Sequence, residues 1–307
     1  METYNKPPQR RSRFLSSEAS VAYICLIPAF FGLIFLTYLP LAGVLGISMT
    51  NWTGLKNPEF VGFSNYIKLF TTDPYIKDSI IATIYFAFLS VAGSMIYSLF
   101  IAMLLNRKIP ARGFFRAVFY VPFVLPAVAI YVGWSWLYEA NFGFFNYLLS
   151  KVGLNKILFI ADSSYVVPSL SLIAVWLSGN LIVIFLAGLQ NVPSIYHEAA
   201  EMDGASGWNR FWHITLPSMT PIIFYNLLLS LIANLQVVTP ALALTNGGPG
   251  NSSRFMTYLM YDQAFVNYKL GYACATTFII FAILAVFTVV LFKTSNRWIF
   301  SEGGDDK

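Results

Sequence analysis

The feature that most constrains this chain is a series of long apolar runs separated by short polar segments. Each run reaches the roughly 20 residues that an α-helix needs to cross the hydrocarbon core of a bilayer. Strands of a membrane β-barrel would be about ten residues long and would alternate in polarity, and these runs do not. The sequence therefore predicts an all-α membrane protein with six transmembrane helices. The predicted spans cover residues 21–49, 79–105, 114–137, 165–189, 218–244 and 271–292.

Composition supports a bilayer as the solvent. Apolar residues make up 57% of the 307 residues and charged residues only 11%, against about 25% charged in soluble proteins. The net charge of +5 would suggest nucleic acid as the partner of a soluble protein, but cytoplasmic loops of membrane proteins are rich in Lys and Arg. We therefore expect contact with membrane lipid and none with nucleic acid. Cys25 and Cys274 lie inside apolar runs and give neither a metal-ligand spacing nor a disulfide framework.

Lys and Arg also predict the orientation, because they concentrate on the cytoplasmic side of a membrane protein. With the N-terminus in the cytoplasm, the inner segments hold twelve of these residues and the outer segments seven. Both termini are therefore predicted to lie inside. This orientation predicts a cytoplasmic tail at 1–20, a six-span membrane domain at 21–293 and a second cytoplasmic tail at 294–307. The long polar segment at 190–217 then faces the cytoplasm as well.

Segment 190–217 interrupts the apolar runs but is still patterned as helix. Pro193 suits a first helical turn, where its missing N–H costs nothing. Gly204 can end that helix in a left-handed conformation, and Ser206 can cap a second helix. Pro217 separates the second helix from the next apolar run. The pattern predicts a helix–turn–helix between two spans, and taken alone it also fits an amphipathic helix lying at the membrane surface.

The same segment resembles the EAA signature of ABC-importer permeases, and we name 190–217 the EAA segment. Glu-Ala-Ala is followed after three intervening residues by Gly, and after nine further intervening residues by Ile-x-Leu-Pro. The resemblance implies the transmembrane domain of a type I ABC importer, in which this segment forms cytoplasmic coupling helices that dock an ATPase. The coupling residues that it implies are Glu198, Ala199, Ala200, Asp203, Gly204, Ile214, Leu216 and Pro217.

Three further stretches resemble the sugar-type branch of these permeases, whose subunits pair as two related membrane proteins. They are EFVGFSNY at 59–66, FFRAVFYVPFVLPAV at 114–128 and LTNGGPG at 244–250. The resemblance, over about 58–265, implies a permease subunit for a carbohydrate, with an oligosaccharide favoured, in a bacterial inner membrane. It also implies three kinds of partner: a second related permease subunit, two ATPase subunits, and an extracytoplasmic solute-binding protein. The mechanism that it implies is alternating access driven by ATP.

The chain itself carries no group that suggests catalysis or ion coupling. It has no GxxxxGK[ST] phosphate loop, so ATP and Mg²⁺ would be bound by the ATPase subunits and no cofactor by this chain. All fourteen acidic residues lie outside the apolar cores of the spans, whereas ion-coupled transporters normally place carboxylates there. His197 and His213 both lie in the EAA segment without an adjacent nucleophile. We therefore expect neither a metal site nor an enzyme.

Uncharged polar residues recur within two of the predicted spans. In the fifth span three of them follow an i, i+4, i+8 spacing on one helix face, and in the fourth a Trp and an Asn are one turn apart. Amides in hydrocarbon are costly unless they are paired or wetted. They could hydrogen-bond between helices, or they could line a polar cavity with aromatic edges that suits sugar hydroxyls. The candidate path residues are Trp176, Asn180, Asn226, Ser230, Asn234 and Gln236.

Two alternative functions stay open at this point. One is a permease for another polar solute, such as glycerol phosphate or a polyamine. The other is a membrane assembly protein that uses the EAA segment to dock a soluble partner. Co-purification of an ATPase whose hydrolysis is stimulated by a binding protein would separate transport from assembly.

Overall fold

The structure is a computed structural model that describes residues 18–55 and 57–300. The predicted tails at 1–20 and 294–307 therefore lie partly outside the described residues, which leave out 1–17 and 301–307. The helices are α1 Glu18–Gly32, α2 Leu39–Ser48, α3 Ser64–Thr71, α4 Ile76–Asn106, α5 Arg112–Val124, α6 Ala127–Leu137, α7 Phe144–Lys151, α8 Val166–Trp176, α9 Gly179–Asn191, α10 Ser194–Met202, α11 Gly207–Arg210, α12 Leu216–Leu235, α13 Met256–Tyr261 and α14 Leu270–Ser295. Wider π-helical segments occur at Leu33–Tyr38, Phe211–Thr215, Ala241–Thr245 and Asp262–Val266.

The all-α prediction is confirmed for the described residues, where the only strand-like feature is a bridge between Thr50 and Phe60. Four continuous helical stretches there are long and apolar enough to cross a membrane. They are Val21–Ser48, Ile76–Asn106, Gly207–Leu235 and Leu270–Ser295. Two bent helix pairs, α5 with α6 and α8 with α9, are also long and apolar enough when each pair is taken as one span. The structure therefore has four candidate membrane spans among the described residues, or six if each bent pair is one span. Six spans remains our prediction.

The third and fourth predicted spans are bent rather than continuous. The axes of α5 and α6 differ by 100°, because Pro126 disfavours the helical conformation at Leu125, which is extended with ψ 149°. The axes of α8 and α9 differ by 49°. No proline lies at that second bend, which falls at Leu177 and Ser178.

The fifth span differs from its predicted bounds of 218–244. Its helix starts earlier, at Gly207, and ends earlier, at Leu235. The chain leaves the helix at Gln236 and is helical again from Thr239, through Pro240 and into the π segment Ala241–Thr245. The intervening residues are Val237 and Val238. β-Branched side chains lose rotamer freedom in a helix, and Pro240 lies in the first turn of the new helix, where its missing N–H costs nothing.

Helix α4 runs through the middle of the structure and packs against α8, α9 and α12. Its 31 residues correspond to about 46 Å at 1.5 Å per residue. Near the C-terminal end of α4, Leu105 packs in one apolar cluster with Leu189 of α9 and Met219 of α12. Near its N-terminal end, Ile76 packs with Leu69 of α3 in another cluster, which also includes residues of α13 and α14. The EAA segment, which joins α9 to α12, and helix α3 therefore lie at opposite ends of the molecule.

Candidate functional site

The first part of the EAA segment folds into the predicted helix, turn and second helix. Helix α10 is followed by Gly204 at φ +77°, a left-handed conformation that glycine adopts readily and other residues adopt with strain. Ser206 caps α11, because its Oγ accepts a hydrogen bond from the Asn209 N–H at 3.3 Å. An ion pair of 3.0 Å between Arg210 and Glu201 connects the two helices. The turn and the cap predicted from the sequence are both present.

The second helix does not stop at Pro217, contrary to the prediction. It continues through the π turn Phe211–Thr215 into α12 and forms one helix from Gly207 to Leu235. In the π turn the Leu216 N–H donates to the Phe211 carbonyl, one residue farther back than in an α-helix. The wider turn makes room for the ring of Pro217, which has no N–H to donate. The end of the EAA segment is thus continuous with the helix of the fifth span.

The predicted coupling residues differ in exposure. Those exposed on α10 and its turn are Glu198, Ala199, Asp203 and Gly204. Those half-buried are Ala200 on α10 and Ile214, Leu216 and Pro217 in the continuous helix. Large apolar side chains are exposed on the same segment, among them Ile195, Met202 and Trp208. An exposed apolar surface of this kind is typical of an interaction site.

A cavity of about 340 Å³ lies among the helices on one side of α4. Both bent helix pairs and α12 contribute to its wall. Aromatic and aliphatic side chains form most of the lining, including Phe123 and Tyr131 of the bent third span. Three of the six candidate path residues line it as well, namely Asn180, Ser230 and Asn234. We name it the inner cavity.

The other three candidate path residues do not line the inner cavity. The bend after α8 separates Trp176 from Asn180, and the Trp176 ring packs against Trp134 at 5.6 Å between centroids. Asn226 is fully buried, and neither its Nδ2 nor its Oδ1 has a partner among the described residues. Gln236 is exposed just after the end of α12. Of the three polar residues predicted on one face of the fifth span, only Ser230 and Asn234 therefore reach the cavity.

The polar groups of the inner cavity are positioned by local contacts. Asn234 Nδ2 donates to the Ser230 carbonyl at 2.7 Å, within its own helix, so this amide does not join α12 to another helix. At the bend before α9, Ser178 Oγ lies 2.8 Å from Ser98 Oγ of α4. Asn180 is the second residue of α9, and this contact fixes the start of that helix. One amide residue from α9 and one from α12 thus line the same space.

Sequence reasoning missed a polar contact where the EAA segment begins. With its amide oxygen facing two guanidinium groups, Gln190 accepts hydrogen bonds from Arg112 Nη2 and Arg116 Nη2, each at 3.0 Å. Arg112 also donates through Nε to the Leu105 carbonyl at 2.5 Å. The three helices α4, α5 and α9 are therefore joined directly before α10. The two arginines were visible in the sequence only as positive charge, and nothing there paired them with Gln190.

The whole chain can be compared with known proteins. Residues 94–300 match the family described as binding-protein-dependent transport system inner membrane component. The chain is 33% identical over 301 residues to Probable ABC transporter permease protein YesP of Bacillus subtilis, with 97% of each protein covered. It is 33% identical over 282 residues to Multiple sugar-binding transport system permease protein MsmF of Streptococcus mutans, with 89% of this chain and 94% of the relative covered.

A solved structure is similar in fold. It is the crystal structure of a bacterial ABC transporter involved in the import of the acidic polysaccharide alginate. The TM-score is 0.76 at 20% sequence identity, and the alignment covers 90% of this chain and 95% of that chain. At that identity the likeness shows the fold, which is the transmembrane fold of an ABC importer.

Proposed function

Since the chain belongs to the family of binding-protein-dependent transport system inner membrane components, we propose that it is one of two paired permease subunits of an ATP-driven carbohydrate importer. Members of this family are multi-pass transport subunits of the inner membrane and not enzymes. The substrate class is supported by a relative that is described as part of a multiple sugar-binding transport system.

The observation that carries the proposal is the inner cavity with its two amides. Asn180 and Asn234 offer donors and acceptors to hydroxyl groups, while Phe123 and Tyr131 offer ring faces to the C–H surface of a sugar. The cavity is lined by no charged side chain among the described residues. A phosphate ester or a polyamine carries charge that would be left without a partner there. A neutral carbohydrate therefore fits this lining better than glycerol phosphate or a polyamine.

The proposed mechanism follows from the continuity of the EAA segment with α12. Glu198 and its exposed neighbours on α10 dock one ATPase subunit, and movement of that subunit is carried through the Gly207–Leu235 helix to Ser230 and Asn234. Rigid-body movement of packed helices can open a cavity to one side of the membrane and then to the other. ATP and Mg²⁺ are held by two ATPase subunits, and a solute-binding protein delivers the sugar from outside.

The proposed arrangement in the membrane has both termini in the cytoplasm. Residues 1–20 and 294–307 are cytoplasmic tails, and 21–293 form six spans when each bent pair crosses once. The EAA segment at 190–217 faces the cytoplasm, where the ATPase is. The structure supports this arrangement by setting the EAA segment and helix α3 at opposite ends of α4.

The test is reconstitution of this subunit with the second permease subunit, the ATPase and the binding protein that co-purify with it. We expect ATP hydrolysis to be stimulated by the binding protein loaded with a sugar, together with ATP-dependent uptake of that sugar into vesicles. Stimulation by glycerol phosphate or spermidine and not by any sugar would contradict the substrate class. A complex that forms without an ATPase and supports no uptake would favour an assembly protein instead.

A further inference from the structure

The end of the molecule that carries the EAA segment also carries a group of positive charges that the proposed function leaves unexplained. The group lies where α4 ends and α5 begins. We name it the basic cluster, and its members are Arg107, Lys108, Arg112 and Arg116. The first two are exposed and the last two are half-buried. The cluster therefore forms one charged surface across the connection between the two helices.

No carboxylate balances the basic cluster within the described part of the chain. The sequence has no Asp or Glu between Asp78 and Glu139. The ion pairs among the described residues join other side chains, one pair within the EAA segment and one near α13. Four positive charges thus lie within ten consecutive residues without a counter-charge from that part of the chain. A surface of this kind attracts an anion from outside.

Arg112 and Arg116 converge on one oxygen, which sets them apart from basic residues scattered over a cytoplasmic end. Each places its Nη2 3.0 Å from the side-chain oxygen of Gln190, so the two nitrogens are separated by no more than twice that distance. Like charges so close together repel each other. The Nη1 atoms of both arginines have no hydrogen-bond partner among the described residues and are not buried. Two accessible guanidinium groups side by side fit the oxygens of one phosphate group.

An exposed apolar stripe on α4 leads to the basic cluster. Ile96, Phe100 and Leu104 are exposed at an i, i+4, i+8 spacing, which places them on one face of the helix. They cover about 12 Å of its length at 1.5 Å per residue, and Arg107 and Lys108 follow about one turn later. A phospholipid has the same order of groups, because its acyl chains are joined to a charged headgroup. A soluble anion would contact the charges and leave the stripe uncovered.

We propose that the basic cluster binds the headgroup of an anionic phospholipid, such as phosphatidylglycerol, in the inner leaflet of the membrane. Arg112 and Arg116 donate hydrogen bonds from Nη1 to its phosphate, and its acyl chains lie along the α4 stripe. Arg107 and Lys108 add attraction, because basic residues next to a membrane span draw anionic headgroups. The choice of leaflet rests on the proposed function, through the orientation in the membrane. The preference for an anionic lipid rests on the cluster alone.

The test is local fluorescence quenching in the full importer complex. Cys25 and Cys274 are first replaced by serine, and Ala111→Cys, exposed between the two halves of the cluster, is labelled with bimane. The nanodiscs are made of phosphatidylcholine with a minor fraction of a quencher, which is phosphatidylglycerol or phosphatidylcholine with a nitroxide on the acyl chain. We expect quenching at Ala111→Cys to show an about tenfold preference for phosphatidylglycerol, since each basic residue favours an anionic headgroup severalfold. Phe88→Cys, exposed on the other half of α4, should be quenched equally by both lipids.

Paired charge variants separate a binding site from general attraction. Arg112→Gln with Arg116→Gln removes the two converging charges, and we expect the preference for phosphatidylglycerol to be lost. Lys293→Gln with Arg297→Gln removes the same amount of charge from exposed positions at the end of α14 and should keep the preference. An equal loss in both pairs would show that only net charge matters and would overturn the proposal.

A second pair keeps the test decisive if the arginine variants fail to fold. Arg107→Gln with Lys108→Gln changes two exposed side chains and should lower the preference severalfold. Equal quenching by the two lipids in the unaltered cluster, as expected if an acidic surface of an ATPase subunit covers it, overturns the proposal. Loss of the preference on addition of glycerol phosphate would assign the site to a soluble phosphate instead and overturn the lipid. The quenching needs no transport, so failure of sugar uptake overturns only the proposed function, and equal quenching overturns only the lipid site.

Discussion

Asn180 and Asn234 lie on helices that are far apart in sequence, and their side chains line the same 340 Å³ cavity. Asn180 reaches it because the chain bends after α8, and Asn234 because α12 continues to Leu235. The end of α12 that carries Asn234 belongs to the same unbroken helix as the end of the EAA segment. The geometry thus connects the proposed ATPase-docking surface with one wall of the proposed sugar path.

Gly204→Ala should impair coupling between ATP hydrolysis and uptake. The glycine has φ +77° and nothing lies within 4 Å of an added Cβ, so the penalty comes from the left-handed backbone alone. That conformation costs alanine about 1–2 kcal/mol. The population of the turn conformation that docks the ATPase should therefore fall roughly tenfold. Initial uptake rates, normalised to the amount of inserted protein, measure the effect.

Gly207→Ala is the matched control for that change. Gly207 also has open space around an added Cβ, but it is helical and has no positive φ. Uptake by this variant should equal that of the wild type. Equal activity of both variants would show that the turn geometry does not matter for docking.

Ser206→Cys and Lys151→Cys should react with a membrane-impermeant reagent from opposite sides of the membrane. Ser206 lies on the EAA segment and Lys151 at the end of α7, and both are exposed. In a background without Cys25 and Cys274, we expect labelling of Ser206→Cys only in inside-out vesicles and of Lys151→Cys only in intact cells. Reversed labelling would overturn the orientation predicted from the Lys and Arg distribution.

Gly179→Ala should destabilise the contact between α5 and α9. A Cβ at this position would lie 2.6 Å from the Phe119 carbonyl oxygen and 3.1 Å from Tyr120 Cα. Both are backbone atoms, so α5 must move away, at a cost of about 1–3 kcal/mol. We expect a lower unfolding temperature in detergent. Gly113→Ala, on α5 with open space around it, should leave the unfolding temperature unchanged, and equal stability of the two variants would contradict the packing described here.

Gln190→Leu should weaken the connection between α5 and α9 just before α10. The variant removes the acceptor shared by Arg112 and Arg116. We expect the free energy of unfolding to fall by only about 1 kcal/mol, because water can solvate the partly exposed guanidinium groups. Stimulation of ATPase activity by the loaded binding protein should fall more than basal activity. Asn191→Leu changes the exposed neighbouring amide and should keep full stimulation, and an identical response of both variants would exclude a role for this contact.

Local chemistry was sufficient to predict the elements that depend on neighbouring residues. The apolar runs predicted the helical fold, and Gly204 and Ser206 predicted a turn and a cap that the structure contains. Pro126 could also have predicted the bend of the third span, because proline restricts the residue before it. The resemblance of the EAA segment led to a family that the comparison with known proteins confirms.

Tertiary packing decided what the sequence pattern left open. The bend at Ser178 contains no proline, and it is associated with contacts from Ser178 to Ser98 and from Gly179 to Phe119 that no local rule predicts. An i, i+4, i+8 spacing also places Asn226 and Asn234 on the same helix face and predicts the same surroundings for both. Packing on all sides buries Asn226 completely, whereas Asn234 lies beside the inner cavity near the end of its helix.

The central claim is that the inner cavity is part of the sugar path, and the most direct test is the substrate preference of Asn234→Ala. In the reconstituted importer, the initial uptake rates of two transported sugars are measured for this variant and for the wild type, together with unfolding temperature and basal ATPase activity. We expect the ratio of the two rates to change severalfold, since a lost hydrogen bond of about 1 kcal/mol changes binding of the sugar that uses it about fivefold, while stability and basal activity stay at wild-type values. An unchanged ratio, with uptake of both sugars falling in proportion to protein abundance, would contradict the claim and leave sugar contact to the partner permease subunit.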